Sequence, residues 1–265
     1  MNRLEKAFHQ KRKYLIPFIM CGDPDMEATE SFIHLLEEEG VLAIELGVPF
    51  SDPMADGPVI QAAGERALKN QVTLTKVLEL AKKVRRNGCE VPLILFTYAN
   101  PVYRFGMKKL VDEAAHNGFD GMIVPDLPFE ESEELRNQGK ERGLCVIPLV
   151  APTSQDRVKE IVSEAQGFVY CVSSLGTTGM RKKFAGQTDQ FLDTVRKFSP
   201  VPTAVGFGIS EREHVKHFLS HADAVVVGSA LVKKIEEQLD FLQDPAKRED
   251  GLKKLREFVR QLKSE

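Results

Sequence analysis

The chain has no tryptophan and only four cysteines among its 265 residues. The cysteines form no C-x-x-C pair, so neither a structural zinc site nor a disulfide framework is expected. Cys21 and Cys171 fall inside apolar runs without a neighbouring histidine and read as small core residues rather than nucleophiles. The six histidines show no H-E-x-x-H motif, and no metal is predicted. No apolar run approaches the ~20 residues of a membrane span. The stretch "MNRLEKAFHQKRKYLIPF" carries charges where a secretory signal needs its apolar core. A basic surplus is missing too: the net charge is −3, which leaves no footprint for nucleic acid. No lysine stands inside an apolar strand-like run, which argues against a Schiff-base aldolase. These absences leave a soluble, reduced, cytoplasmic protein as the expectation.

Apolar residues make up 42% of the chain, enough to bury a sizeable core. They come in about eight short runs, among them "YLIPFIMCG", "VLAIELGVP", "VPLILFTYAN", "GFVYCVSS" and "ADAVVVGSA". Between the runs lie segments of helical period. After Thr73, a plausible N-cap, Leu74, Val77, Leu78, Ala81 and Val84 share one helix face. Asp25 to Glu39, Glu211 to Leu219 and Leu252 to Leu262 read the same way. Strand–helix alternation implies a parallel sheet, and near-continuous apolar strands imply burial on both faces. About eight such units in this length predict an α/β fold, a TIM (β/α)8 barrel forming a single domain over residues 1–265. Pro17 and Pro148 strain that reading, because each removes a ladder N–H from a strand-like run. Bulges or early strand ends would accommodate them.

In such a barrel, function gathers at the C-terminal ends of the strands. That rule selects Asp23, Glu45 to Asp56, Tyr98 to Asn100, Asp126, Tyr170 to Gly179, Gly206 to Ser210 and Gly228 to Ser229. Within "AIELGVPFSDPMADGPVIQ", Glu45 is a carboxylate in the middle of an apolar strand-like run. If it points into the barrel mouth, desolvation raises its pKa and suits it to give and take a proton near neutral pH. The other reading is a solvated or lysine-paired strand end. Asp56 follows in a loop of turn formers, with Asp52 as its competitor. A strand carboxylate and a loop carboxylate together form a recognisable acid–base pairing. "VGFGIS" and "VVVGSALV" place Gly and Ser where the last two strands hand over to helices, the usual phosphate site of this fold. "CVSSLGTTGMRKKFAGQT" reads either as a lid over the site or as a flexible linker.

"IELGVPFSDPMADGPVIQ" closely resembles the signature of the tryptophan synthase alpha subunit family. "PFIMCGDP", "LFTYANPVYRFG", "GMIVPDLPFEES", "VYCVSSLGTTGMR", "VGFGIS" and "ADAVVVGSALVK" resemble the same family, in the same order, over essentially the whole chain. The resemblance implies a lyase that splits indole-3-glycerol phosphate into indole and glyceraldehyde 3-phosphate. It implies a partner, the beta subunit, in an alpha2beta2 heterotetramer. It implies no cofactor in this chain, with pyridoxal phosphate in the beta subunit. By motif, the family's catalytic Glu and Asp match Glu45 and Asp56, and its active-site Tyr matches Tyr170. The indole pocket matches Phe18, Ile60, Phe96 and Phe207. Phosphate binding matches Gly179, Gly208, Gly228 and Ser229, and the lid residue that contacts the catalytic Asp matches Thr178. Family interface positions correspond to the Asp56 loop and the region of Asn100 and Asp126. In "SSLGTTG", Ser174 stands where the enterobacterial form has Arg, which implies differently tuned lid closure.

Overall fold

The computed structural model describes residues 1–10, 14–172, 185–206 and 208–263. In chain order the elements are α1 (Arg3–Phe8), β1 (Leu15–Met20), α2 (Met26–Glu38), β2 (Ile44–Gly47), α3 (Pro58–Lys69), α4 (Leu74–Arg86) and β3 (Leu93–Phe96). Then come α5 (Ala99–Phe105), α6 (Met107–His116), β4 (Gly121–Ile123), α7 (Glu133–Arg142), β5 (Cys145–Val146), β6 (Leu149–Val150) and α8 (Val158–Ser163). The last part runs β7 (Val169–Val172), α9 (Ala185–Phe198), β8 (Thr203–Gly206), α10 (Arg212–Leu219), β9 (Ala224–Val227), α11 (Ser229–Glu236), α12 (Leu239–Leu242) and α13 (Arg248–Lys263).

All strands pair in parallel, in the order β5-β4-β3-β2-β1-β9-β8-β7-β6. The two ends of that order are neighbours in sequence. One strand-like run, broken at Ile147–Pro148, supplies both: Ile147 N donates to the Met122 carbonyl, and Tyr170 N donates to the Pro148 carbonyl. The sheet thereby closes into a TIM barrel. Pro148 ends a strand early, because it has no N–H to continue the ladder. Pro17 stays within β1, at the last residue of the β9 ladder, where Leu15–Pro17 pair with Val225–Val227.

The core has two parts, separated by strand alternation. Ala43, Ile94, Ile123, Tyr170, Ala204, Ala224 and Val226 point into the barrel. Ile44, Leu46, Leu93, Leu95, Val205 and Val225 point outward, against the helices. Burying each such Val, Leu or Ile stabilises the fold by about 1.5–3 kcal/mol. Helix α4 begins as its apolar period requires, with Thr73 Oγ1 accepting from Lys76 N at 3.4 Å. Helix α2 is capped by Asp25, whose Oδ1 accepts from Ala28 N at 2.7 Å. At the N-terminal end of the barrel, α1 inserts Leu4 and Ala7 among the inward-facing residues, and the Phe8 ring meets Phe168 at 5.6 Å. Among the described residues, no helix is long and apolar enough to cross a membrane.

Candidate functional site

Glu45 alternates with Ala43 along β2 and therefore faces the barrel interior. It is 1% exposed, and its Oε1 has no hydrogen-bond partner among the described residues. No described lysine or arginine pairs with it, so the solvated and lysine-paired readings both fall. Burial without compensation pushes its carboxyl up to about 8, so the group is mostly protonated at neutral pH. Tyr170, on β7, is buried inside the same barrel. Its hydroxyl is held well above its ordinary range by burial and by the nearby Glu45.

Aromatic side chains from neighbouring strands wall the space beside Glu45. Phe18 is its register partner on β1. The Phe18 ring meets Phe96 edge-on at 5.4 Å, and Phe96 meets Tyr98 edge-on at 6.3 Å. Phe50 stacks on Tyr98 at 5.3 Å. Ile60 on α3 closes one side: a Cβ placed on Gly228 would sit 3.6 Å from both Ile60 Cδ1 and Phe18 Cβ. Glycine is required at Gly206, where a Cβ would come within 2.2 Å of the Tyr170 hydroxyl. Thus Phe18 and Tyr170 stand beside Glu45, and Phe96, Ile60 and Gly228 gather around Phe18.

Asp56 lies in the loop between β2 and α3 and is half-buried. Burial raises its carboxyl to about 6, while the Tyr98 hydroxyl beside it pulls the other way. That hydroxyl is itself buried and makes no hydrogen bond of full geometry. The Gln61 side chain donates to the Asp56 carbonyl at 2.8 Å and fixes the loop. Asp52, the competitor, is exposed and accepts from its neighbour Ser51 Oγ at 2.5 Å. Asp56 is therefore the loop carboxylate that reaches the aromatic wall, through Tyr98.

On the far side, Gly228 precedes α11, whose first turn has no side-chain cap. The N–H groups of the first turn, Ser229 to Leu231, have no intrahelical partner and face the helix dipole's positive end, which suits an anion. Gly208 is exposed after β8, in the left-handed region at φ +74°. Thr178, Gly179 and Phe207, with Ser174 and the rest of 173–184, lie outside the described residues.

Two residues singled out by the strand-end rule are tied into the fold. Asp23 is buried and held in a two-pronged ion pair by Arg66, at 2.7 and 2.9 Å, which ties the end of β1 to α3. Asp126 Oδ1 accepts from Ala99 N at 2.8 Å and fixes the start of α5. Conversely, Phe50 and Tyr98 belong to the wall without having been named as site residues. Both fall within the strand-end selection, but nothing local in the sequence links Tyr98 to Asp56.

The model of the family described as tryptophan synthase alpha chain matches residues 4–265. The tryptophan synthase alpha chain of Halalkalibacterium halodurans is 51% identical over 262 residues, 99% of each chain. That of Shouchella clausii is 48% identical over 262 residues, 99% of this chain and 97% of the other. Among solved structures, the tryptophan synthase alpha subunit of Legionella pneumophila superposes with a TM-score of 0.85 at 35% identity, covering 98% of both chains. A chain from the tryptophan synthase alpha2beta2 complex of Pyrococcus furiosus gives 0.84 at 40% identity, covering 94% of this chain and 97% of that one. Whole-length similarity of this kind, on a barrel with a buried glutamate at its heart, places the chain in the tryptophan synthase alpha chain family.

Proposed function

We propose that this chain cleaves indole-3-glycerol phosphate to indole and glyceraldehyde 3-phosphate, acting as one catalytic domain over residues 1–265 in the cytoplasm. The observation that carries this reading is Glu45: fully buried, with Oε1 unpartnered among the described residues, and mostly protonated at neutral pH. Cleavage requires a proton on C3 of the indole ring, which turns the ring into an electron sink. Protonated Glu45 supplies it. The resulting carboxylate takes the proton of the glycerol hydroxyl next to the ring. That oxygen becomes the aldehyde carbonyl, the carbon–carbon bond breaks, and its electron pair returns to the indole ring. One group thus acts first as acid and then as base, for which a pKa near the working pH is best suited.

Asp56 carries the second role. Ionised above about pH 6, it accepts a hydrogen bond from the indole N–H and stabilises the positive charge that develops on the ring. Phe18, Ile60, Phe96 and Phe207 hold the apolar ring, and Tyr170 packs beside Glu45. Gly179, Gly208, Gly228 and Ser229 take the phosphate, with Thr178 contacting Asp56 on closure. None of these steps calls for a cofactor in this chain. The indole passes to a pyridoxal-phosphate beta subunit within an alpha2beta2 heterotetramer.

The test is indole release from indole-3-glycerol phosphate by the purified chain, with and without a beta subunit. Turnover that rises sharply on adding the beta subunit supports both the reaction and the assembly. No indole under either condition overturns the reading.

A further inference from the structure

Helix α9 precedes β8, and α10 follows it. On α9, Asp189 and Asp193 are four residues apart and share a face. His217, in the last turn of α10, and His221, just beyond its end, are also four apart. The two pairs meet. His217 Nε2 lies 3.0 Å from Asp189 Oδ1, and His221 Nε2 lies 3.9 Å from the same oxygen. These three atoms all fall within 4.8 Å of one another. The second nitrogen of His221, Nδ1, lies 2.8 Å from Asp193 Oδ1. The mechanism above uses none of the four.

We propose that Asp189, His217 and His221 form a binding site for a divalent transition-metal ion of the zinc type, with Asp193 orienting His221. Zinc takes imidazole nitrogen and carboxylate oxygen at about 2.0–2.2 Å in a tetrahedron, which sets ligand atoms about 3.4 Å apart. The observed 3.0 and 3.9 Å bracket that spacing, so small side-chain rotations close the site. Metal-binding histidines commonly give their other ring nitrogen to a carboxylate, which fixes tautomer and ring orientation. Asp193 stands in that position for His221. Two imidazoles select zinc, nickel or copper over magnesium or calcium. Access is open, since the His217 side chain is 46% exposed while Asp189 and His221 are each 22% exposed. The fourth position is left to water. The H-E-x-x-H motif misses this arrangement, because Phe218 stands where that motif has Glu and the acid comes from another helix.

The probe is Zn2+ titrated calorimetrically into the full chain in metal-free buffer at pH 7.5. One saturable ion per chain is expected, with no saturable heat from Mg2+. His217→Ala and His221→Ala should each weaken binding at least tenfold. Asp193→Asn should weaken it about tenfold or more while leaving one ion per chain. Absence of saturable Zn2+ binding overturns the proposal, as does a His217→Ala/His221→Ala double variant that keeps its affinity to within tenfold. Co2+ added to the native chain makes the test independent of how the variants fold. Intense visible bands of a four-coordinate ion are expected, and the weak spectrum of the hydrated ion overturns the assignment.

Discussion

The barrel buries a carboxylate near each end and treats the two in opposite ways. Near the N-terminal end, Asp120 is 2% exposed. Arg85 reaches it at 2.9 Å, Arg3 at 3.2 Å, and Leu93 N donates to it at 3.1 Å. Toward the other end, Glu45 is 1% exposed and has no partner on Oε1 among the described residues. Burial pushes both carboxyls up, but only at Asp120 do cations and a backbone N–H push back. Surrounded, a buried charge becomes a structural joint between α1, α4 and β3. Left alone, it becomes a proton donor. The contrast separates a stabilising carboxylate from a reactive one within a single barrel.

The largest effect should come from Glu45→Gln, which removes the titrating group and keeps the shape. Turnover should fall by about 10²–10⁴-fold, the range of a lost general acid–base group, with phosphate-ligand binding within a few fold of native. Turnover within tenfold of native would break the contrast at its reactive carboxylate. Asp120→Asn is the reciprocal change. It leaves the half-buried Arg85 with its backbone carbonyl partners but without a counter-charge, and urea unfolding should show a loss of about 3 kcal/mol. Turnover per folded molecule should stay near native; a fall as large as that of Glu45→Gln would mean the two carboxylates are not separable.

A pH profile sharpens the role of the reactive carboxylate. The working form has Glu45 protonated, below about 8, and Asp56 ionised, above about 6. The kcat/KM of the isolated chain should therefore peak between those values and fall about tenfold per pH unit outside them. Asp56→Asn should remove the acid limb.

The smallest effect concerns stability. Glu45 titrates at 4.5 in an ordinary setting and at about 8 when folded. Its protonated form favours the fold fully below 4.5, and that contribution is lost as pH rises through 8. Glu45→Gln cannot ionise and should be more stable than the native chain at pH 8, by about 2 kcal/mol, because the amide also lacks a partner. At pH 4 the sign should reverse, with the native chain the more stable by about 2 kcal/mol. Denaturation at both values checks the sign.

Local patterns in the sequence were enough for the helices and the closed parallel sheet. The stripe after Thr73 became α4, cap included, because an apolar face at helical spacing has only one way to be buried. The inward direction of Glu45 follows from alternation on β2. The final helix begins at Arg248, before its apolar stripe, because polar residues can extend a helix whose packing face is already seated. What the sequence hid are contacts between distant segments. Asp23 looked like a strand-end site residue until Arg66, 43 positions away, claimed it. Tyr98 and Phe50 join the aromatic wall through a stack between separate loops. Asp120 gave no sign of its role, because Arg3 and Arg85 come from far along the chain.

Helix α1 has a consequence for the order of assembly. The Asn2 side chain donates to the carbonyls of Asp120 and Gly143, 118 and 141 residues away. A nascent chain releases this helix first, yet the surfaces that receive it do not exist until β4 and β5 have been made. Six residues are too few to hold a helix by themselves in water. The opening segment therefore has nothing to dock on until β5 has been made, a cork cut before the bottle is blown.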